Sequence, residues 1–341
     1  MTFAFSEGRC QHINEKQLIS NGLENIYQFN FDSTASIIQS IDSTAYPQAY
    51  NFLMSQYLRW YNIPINEQGE QTLKLYQNYI TTTFDPHSTL DTLLLLNNKL
   101  LKAEYFYNNN QLYQAFRESY SLYSLIEPHL EMSPSEIASE WLLAVSLYNY
   151  YYQYYQDSNP MLSNMMWLFE DGDKTKGLNG LINLTKEDNL AQTEALIYLS
   201  HIYLRIENKA DSAYNYAKKL HLRYPANLKF YELFIESSIA MNHDASEVQP
   251  LIDRLKSSDN VYFKKYGITY DVMNNSKETN AVHLTNLLNC LNKLEQLGGG
   301  DHLKSLIYKA LYAITNGTEQ EEYERLLLKT RRYNYSLTNI D

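Results

Sequence analysis

The sequence predicts an all-α chain in which antiparallel helix hairpins stack side by side into a right-handed α-α superhelix. Three observations predict it. Hydrophobic residues recur at intervals of three and four almost throughout, the period of a helix with one buried face, and strand-like alternation is nearly absent. Eleven Gly and eight Pro in 341 residues are about half the ordinary combined usage of ~12%, so turns are scarce. A chain longer than a single core usually grows, cut into short helices with short polar links, buries its apolar faces by stacking neighbours.

Residues 1–14 lack the helical period and read as a flexible N-terminus or the remnant of a signal peptide; 15–341 read as one helical-repeat domain. Within it the period predicts helices over 15–29, 33–42, 46–61, 67–83 and 89–107, then 111–127, 134–156, 160–168, 174–186 and 190–207. Further helices are expected over 210–223, 227–241, 245–257, 259–273, 278–297, 301–316 and 319–333. Ser133, Pro134 and Glu136 form a capping box with proline at the first helical position, Thr318 with Glu321 forms another, and Ser88 with Asp91 a weaker one. Gly298 to Gly300 close one helix through the left-handed turn that glycine tolerates, and Asp301 is placed to cap the next.

The chain also repeats itself. In Ala195 to Asn227 a helix carrying Leu196, Leu199 and Tyr203 is followed by Ala213, Ala217, Leu220 and Tyr224-Pro225. That is close to the tetratricopeptide hairpin, with large, small and aromatic positions on the first helix, small ones where the second crosses it, and proline at the exit. Gly177 lies 36 residues before Ala213, and Asn189 lies 36 before Pro225, near the ~34 of that repeat. A third copy is Ala103, Phe106, Ala115, Leu122 and Pro128. The clearest repeats are therefore 89–128 and 174–227.

A longer set of residues narrows this further: Leu147-Tyr148-Asn149-Tyr150-Tyr151, Pro160, Asp171-Gly172-Asp173, Gly177-Leu178, Leu181, Glu194-Ala195, Leu199, Ile202-Tyr203, Glu207, Ala213, Leu220 and Tyr224-Pro225-Ala226-Asn227. Over roughly Ser139 to Phe230 the chain resembles a family of bacterial tetratricopeptide-repeat (TPR) proteins, and more distantly the eukaryotic tetratricopeptide repeat protein 39 group. The resemblance implies a helical-repeat scaffold, often exported in bacteria, with no catalytic residues to carry over.

Composition limits the function classes. The net charge of -11, from 28 Lys+Arg against 39 Asp+Glu, repels phosphate backbones, so nucleic acid is not an expected partner. The densest apolar run, Leu93 to Leu96, is followed by Asn97, Asn98 and Lys99, and nothing approaches the ~20 apolar residues of a membrane span. Cys10 and Cys290 are far apart and form no metal or disulfide pattern. Met1 to Gly8 lacks the basic and apolar regions of a secretory signal, while Thr2 to Ser6 also read as the end of one that begins upstream. We favour export, to the periplasm or envelope, on the second reading; the first leaves the protein cytoplasmic.

No residue pattern announces a reaction. The eight histidines are scattered without HExxH spacing. Asp171-Gly172-Asp173 fails as a calcium loop because Lys176 and Ile182 stand where glycine and a bidentate glutamate are required. Gly298 to Gly300 lack the strand and the Gly-Lys-Ser/Thr of a phosphate loop. Lys329, Arg331 and Arg332 suit a helix C-terminus. No enzyme, cofactor or metal is expected.

What remains is a binding face. Trp141, Val145, Tyr148, Tyr152 and Tyr155 step by four and three and are expected in the core. Tyr150 and Tyr154 fall on another face beside Asn149 and Gln153, where an exposed pair would stack on a sugar ring or a proline. If Trp141, Val145 and Tyr148 are packing positions, the inner groove is lined near Leu142, Ser146 and Asn149. The same register places Glu194, Ile197 and His201 there in the next first-type helix, and Leu100, Glu104 and Tyr107 in an earlier one. This lining lacks the Lys and Asn set that clamps a C-terminal carboxylate in some tetratricopeptide domains, and suits a basic or neutral polar partner. The expected function is a non-catalytic scaffold that holds a protein or peptide through Glu104, Asn149, Glu194 and His201. The alternative is a protein that binds a small molecule or glycan through Tyr150 and Tyr154.

Overall fold

The computed structural model describes residues 15–62, 95–96, 99–100, 102–103, 106, 111–132, 137–158, 166, 169–186, 188–275, 280–298 and 300–330. Among them the chain is all helical. The predicted helix over 67–83 lies outside the described residues, as do most of those over 89–107 and 160–168 and the cap signals at Ser88 and Ser133.

Three N-terminal helices come first: α1 (Glu15–Tyr27), α2 (Phe31–Ser40) and α3 (Pro47–Asn62). Then follow α4 (Leu112–Ile126), a short 3-10 turn at Glu127–His129, α5 (Ser139–Ser158), α6 (Lys174–Leu184), α7 (Gln192–Arg205) and α8 (Ala210–Arg223). The remainder is α9 (Leu228–Ala240), α10 (Ala245–Lys256), α11 (Val261–Asn274), α12 (Asn280–Leu297), α13 (Asp301–Ile314) and α14 (Thr318–Thr330).

Local chemistry sets several starts. Asp173, Asn227, Asp244 and Asn260 each stand before a helix in extended backbone, with a side-chain oxygen accepting backbone N–H bonds from its first turn. These oxygens satisfy donors that have no partner inside the helix. Two expected caps shift by one residue. Gly300, left-handed at φ 77°, takes the capping position, so that Asp301 opens α13. Likewise Gly317, at φ 64°, precedes α14, which Thr318 opens.

From α4 onward the described helices that are consecutive in the chain pack on one another. Superposed on that, α7, α9, α11 and α13 pack each on the next, so α7/α8, α9/α10, α11/α12 and α13/α14 are hairpins whose first helices form a row. Small residues permit the crossings. A Cβ on Gly177 would stand 2.6 Å from the backbone of Ser146 and Tyr150, so α6 lies directly on α5. Ala213 and Ala217, both fully buried, do the same on α8.

The N-terminal helices do not extend this row at its end. Ile19, Leu23, Ile26, Leu53 and Trp60 share one hydrophobic core with Leu196 and Ile197 of α7, Phe230 and Leu233 of α9 and Phe263 of α11. An aromatic box closes the join. Trp60 meets Tyr27 and Phe230 edge-on at 5.5 and 5.6 Å, and Tyr27 lies 5.6 Å from Tyr224. Residues about 200 apart in sequence are thereby joined, Asn227 donating to the Tyr27 carbonyl at 2.8 Å and Tyr224 to Glu24 at 3.1 Å.

Candidate functional site

The first helices α7 and α9 each carry a charged face, and Arg59 of α3 reaches one residue of it. On α7, Glu194, His201 and Arg205 share a face by helical spacing; on α9, Lys229, Glu232 and Glu236 do. Arg205 bonds Glu236 at 2.9 Å, Lys229 bonds Glu232 at 2.5 Å, and Arg59 of α3 lies 3.6 Å from Glu194. Tyr27 donates to Glu194 at 2.7 Å and Tyr270 of α11 to Glu236 at 2.6 Å. The Lys229 ammonium sits over the Tyr262 and Tyr266 rings at 4.7 and 5.3 Å, and Arg59 over Trp60 at 5.8 Å.

This cluster is layered. The side chains of Glu232 and Glu236 are 5% exposed, while Arg59, Arg205 and Lys229 are 18%, 17% and 24% exposed. Glu236 and Glu232 lie below Arg205 and Lys229 and pin them, while Glu194, 16% exposed, sits level with Arg59. Electrostatics follow from that depth. Burial pushes the Glu232 carboxyl up to about 7, Lys229 opposing the rise and Glu236 adding to it. Its Oε1 is buried without a hydrogen-bond partner, which disfavours the ionised form. Half-buried His201 has its pKa lowered well below the usual histidine range by burial and by Arg205, Lys229 and Arg59, so its ring is neutral at pH 7. Tyr27 and Tyr270 are held protonated, by burial first and then by the carboxylates they bond.

The expected site residues fare differently. Glu104 lies outside the described residues. Glu194 and His201 do share a face, but Tyr27 and Arg59 already engage Glu194. The register expected for α5 is corrected: Leu142, Ser146 and Asn149 are all buried, because the glycines of α6 let it close on that face. Asn149 is structural there, its amide oxygen accepting the Asp173 N–H at 3.0 Å. The exposed pair is corrected too. Tyr150 is fully buried and donates to Glu207 at 2.6 Å, with Lys174 on the same carboxylate at 2.7 Å. Tyr154 is half-buried and stacked on Tyr150 at 6.4 Å. In the expected stripe Trp141, Val145 and Tyr152 are buried, and Tyr148 and Tyr155 half-buried.

Exposed aromatic surface lies elsewhere. On α4, Tyr113 is 74% and Tyr120 51% exposed, and Phe169 stands edge-on to Phe116 and Tyr120 at 5.9 and 5.8 Å.

Sequence reasoning missed Arg59, Arg205 and Lys229. Carrying the α7 register one turn beyond His201 reaches Arg205; the other two arrive from separate elements, which no local pattern reveals. Among the described residues no group of His, Cys, Asp or Glu is placed to hold a metal ion, and no helix is long and apolar enough to cross a membrane. No family model matches the chain, and no curated protein matches it.

Proposed function

We propose that this protein is a non-catalytic helical-repeat scaffold of the tetratricopeptide type, which holds a protein segment on the inner face of its first-helix row. The observation that carries the reading is that this face already receives helices: α1 and α3 dock on it through Tyr27, Trp60 and Arg59, using polar contacts at Glu194 and an aromatic box at Phe230. A surface that seats one amphipathic helix by a polar rim and an apolar anchor has the chemistry to seat another. The repeat type draws support from α7, α9 and α11 beginning at Gln192, Leu228 and Val261, steps of 36 and 33 residues, and from each of these helices packing on the next.

The test is affinity capture from the source cell with the full chain as bait. His201→Trp is the control, because it fills the face without removing a recorded hydrogen bond. A partner held by the wild type and lost from a stably folded His201→Trp supports the reading; capture that ignores the substitution, or no partner at all, removes it. The glycan reading shifts to the aromatic row Tyr113, Phe116 and Tyr120 of α4, where two tyrosines stand in solvent. A carbohydrate binding screen with Tyr113→Ala and Tyr120→Ala tests that.

A further inference from the structure

The layering of the inner face has a chemical direction. Arg59, Arg205 and Lys229 come from three different elements and form its solvent-facing layer, while the carboxylates of Glu232 and Glu236 lie beneath them at 5% exposure. Each deeper carboxylate fixes one cationic head, as ligands in a preorganised site are fixed by what lies behind them. Half-buried His201 stands among the three cations with a neutral ring. An incoming group therefore meets the Arg205 and Lys229 heads over buried carboxylates and a neutral imidazole, beside the Arg59–Glu194 pair, whose side chains are 18% and 16% exposed, in a chain whose net charge is -11. Guanidinium forks match carboxylates in shape as well as charge.

We propose that the inner face binds a carboxylate, presented by an acidic peptide segment or by a free carboxylic acid, seated against His201 between Arg59, Arg205 and Lys229. This names the chemistry of the site on which the scaffold reading rests, and it reverses the sequence-based expectation of a basic or neutral partner. The reversal comes from tertiary packing: Glu194 is paired by Arg59 of α3, and Glu232 and Glu236, which the sequence register did not place on this face, lie beneath Lys229 and Arg205.

A seated carboxylate draws a proton onto His201. Arg205 on the same helix, Lys229 on α9 and Arg59 on α3 act on that ring; Glu194 shares its face of α7 by helical spacing, and Glu232 and Glu236 lie behind Lys229 and Arg205. Binding accordingly tightens as pH falls, because a seated carboxylate raises the His201 pKa from its lowered position and because the Glu232 carboxyl behind Lys229, at about 7, takes up a proton and leaves that cation less opposed.

The experiment is calorimetric titration of the full chain with succinate and with an oligoglutamate peptide, at pH 5.5 and 8, against sodium chloride at equal ionic strength. Expected is saturable binding of the peptide, the free acid or both, weakened roughly tenfold or more by Arg205→Gln or Lys229→Gln. In His201→Phe, which removes no recorded hydrogen bond and keeps the fold testable, the gain in affinity at low pH shrinks. Peptide binding without succinate binding assigns the carboxylate to a protein partner; the reverse assigns it to a small molecule and leaves the scaffold reading to the capture experiment. The proposal is overturned by the absence of saturable binding of both, by an equal effect of chloride, or by affinities that His201→Phe and Arg205→Gln leave unchanged. A captured partner that depends on His201 but is not displaced by either probe overturns the carboxylate chemistry and not the scaffold.

Discussion

Single side chains carry two of the decisive effects. Glu232 is a carboxyl held near pH 7 by burial. Between its usual 4.5 and about 7, the unfolded chain releases a proton that the folded chain keeps. The stability this contributes is present below 4.5 and is lost as pH rises through 7. Glu232→Gln does not titrate, so from pH 4.5 to 8 the unfolding free energy of the variant should gain on the wild type by roughly 3 kcal/mol. Urea denaturation at the two pH values measures this, and an equal gap at both rules it out. Asn227 works differently. Its fully buried amide accepts the Lys229 and Phe230 N–H groups at 3.0 and 3.3 Å and donates to the Tyr27 carbonyl. Asn227→Ala removes a helix cap and a long-range bond together, an expected loss of about 2 kcal/mol in urea midpoint experiments.

At the level of elements, close crossings decide which helices pair. An alanine at Gly177 gains about 1 kcal/mol in helix propensity, yet its Cβ would meet backbone atoms of α5 at 2.6 Å. The clash wins, because backbone cannot swing away as a side-chain end can. Gly177→Ala should lower stability by about 1–3 kcal/mol, and Gly267→Ala, whose Cβ would stand 2.5 Å from the Lys256 nitrogen, by a similar amount. A neutral or stabilising result in thermal unfolding would show that the helices part at no cost. The hairpins were legible in sequence for this reason: spacing of apolar residues marks a helix, and small residues at a crossing mark its partner. The α5 register was not legible. The face carrying Leu142, Ser146 and Asn149 looks polar enough for a groove, and only the closure of α6 over it makes it interior.

For the whole molecule, the joining of α1–α3 to the α7–α11 row makes distant parts one cooperative body. Trp60 is the anchor, 6% exposed and in contact with rings from α1 and α9. Trp60→Ala should destabilise the fold by about 3–5 kcal/mol, and hydrogen exchange should show loss of protection in α9 as well as in α3. Loss confined to α1–α3 would mean that the N-terminal helices fold as a separate unit.

The candidate site divides along the same line. Glu194 and His201 were placed on one face by the α7 register alone, since local periodicity fixes which residues of a single helix point together. Tyr150 was misplaced by the same reasoning, because a tyrosine off the main stripe of α5 is still interior when Gly177 brings a second helix against it. By itself the sequence determined the helical class, the hairpin crossings and the shared face of Glu194 and His201 on α7, all of which follow from spacing within about forty residues. Only the tertiary structure decided that α1–α3 dock on that face, that Arg59 and Lys229 arrive near His201 from other helices, and that Glu232 and Glu236 lie beneath Lys229 and Arg205. Those contacts join residues from tens of positions to about 200 apart, and burial, the quantity that sets the charge state of Glu232 and His201, exists only once the helices have stacked.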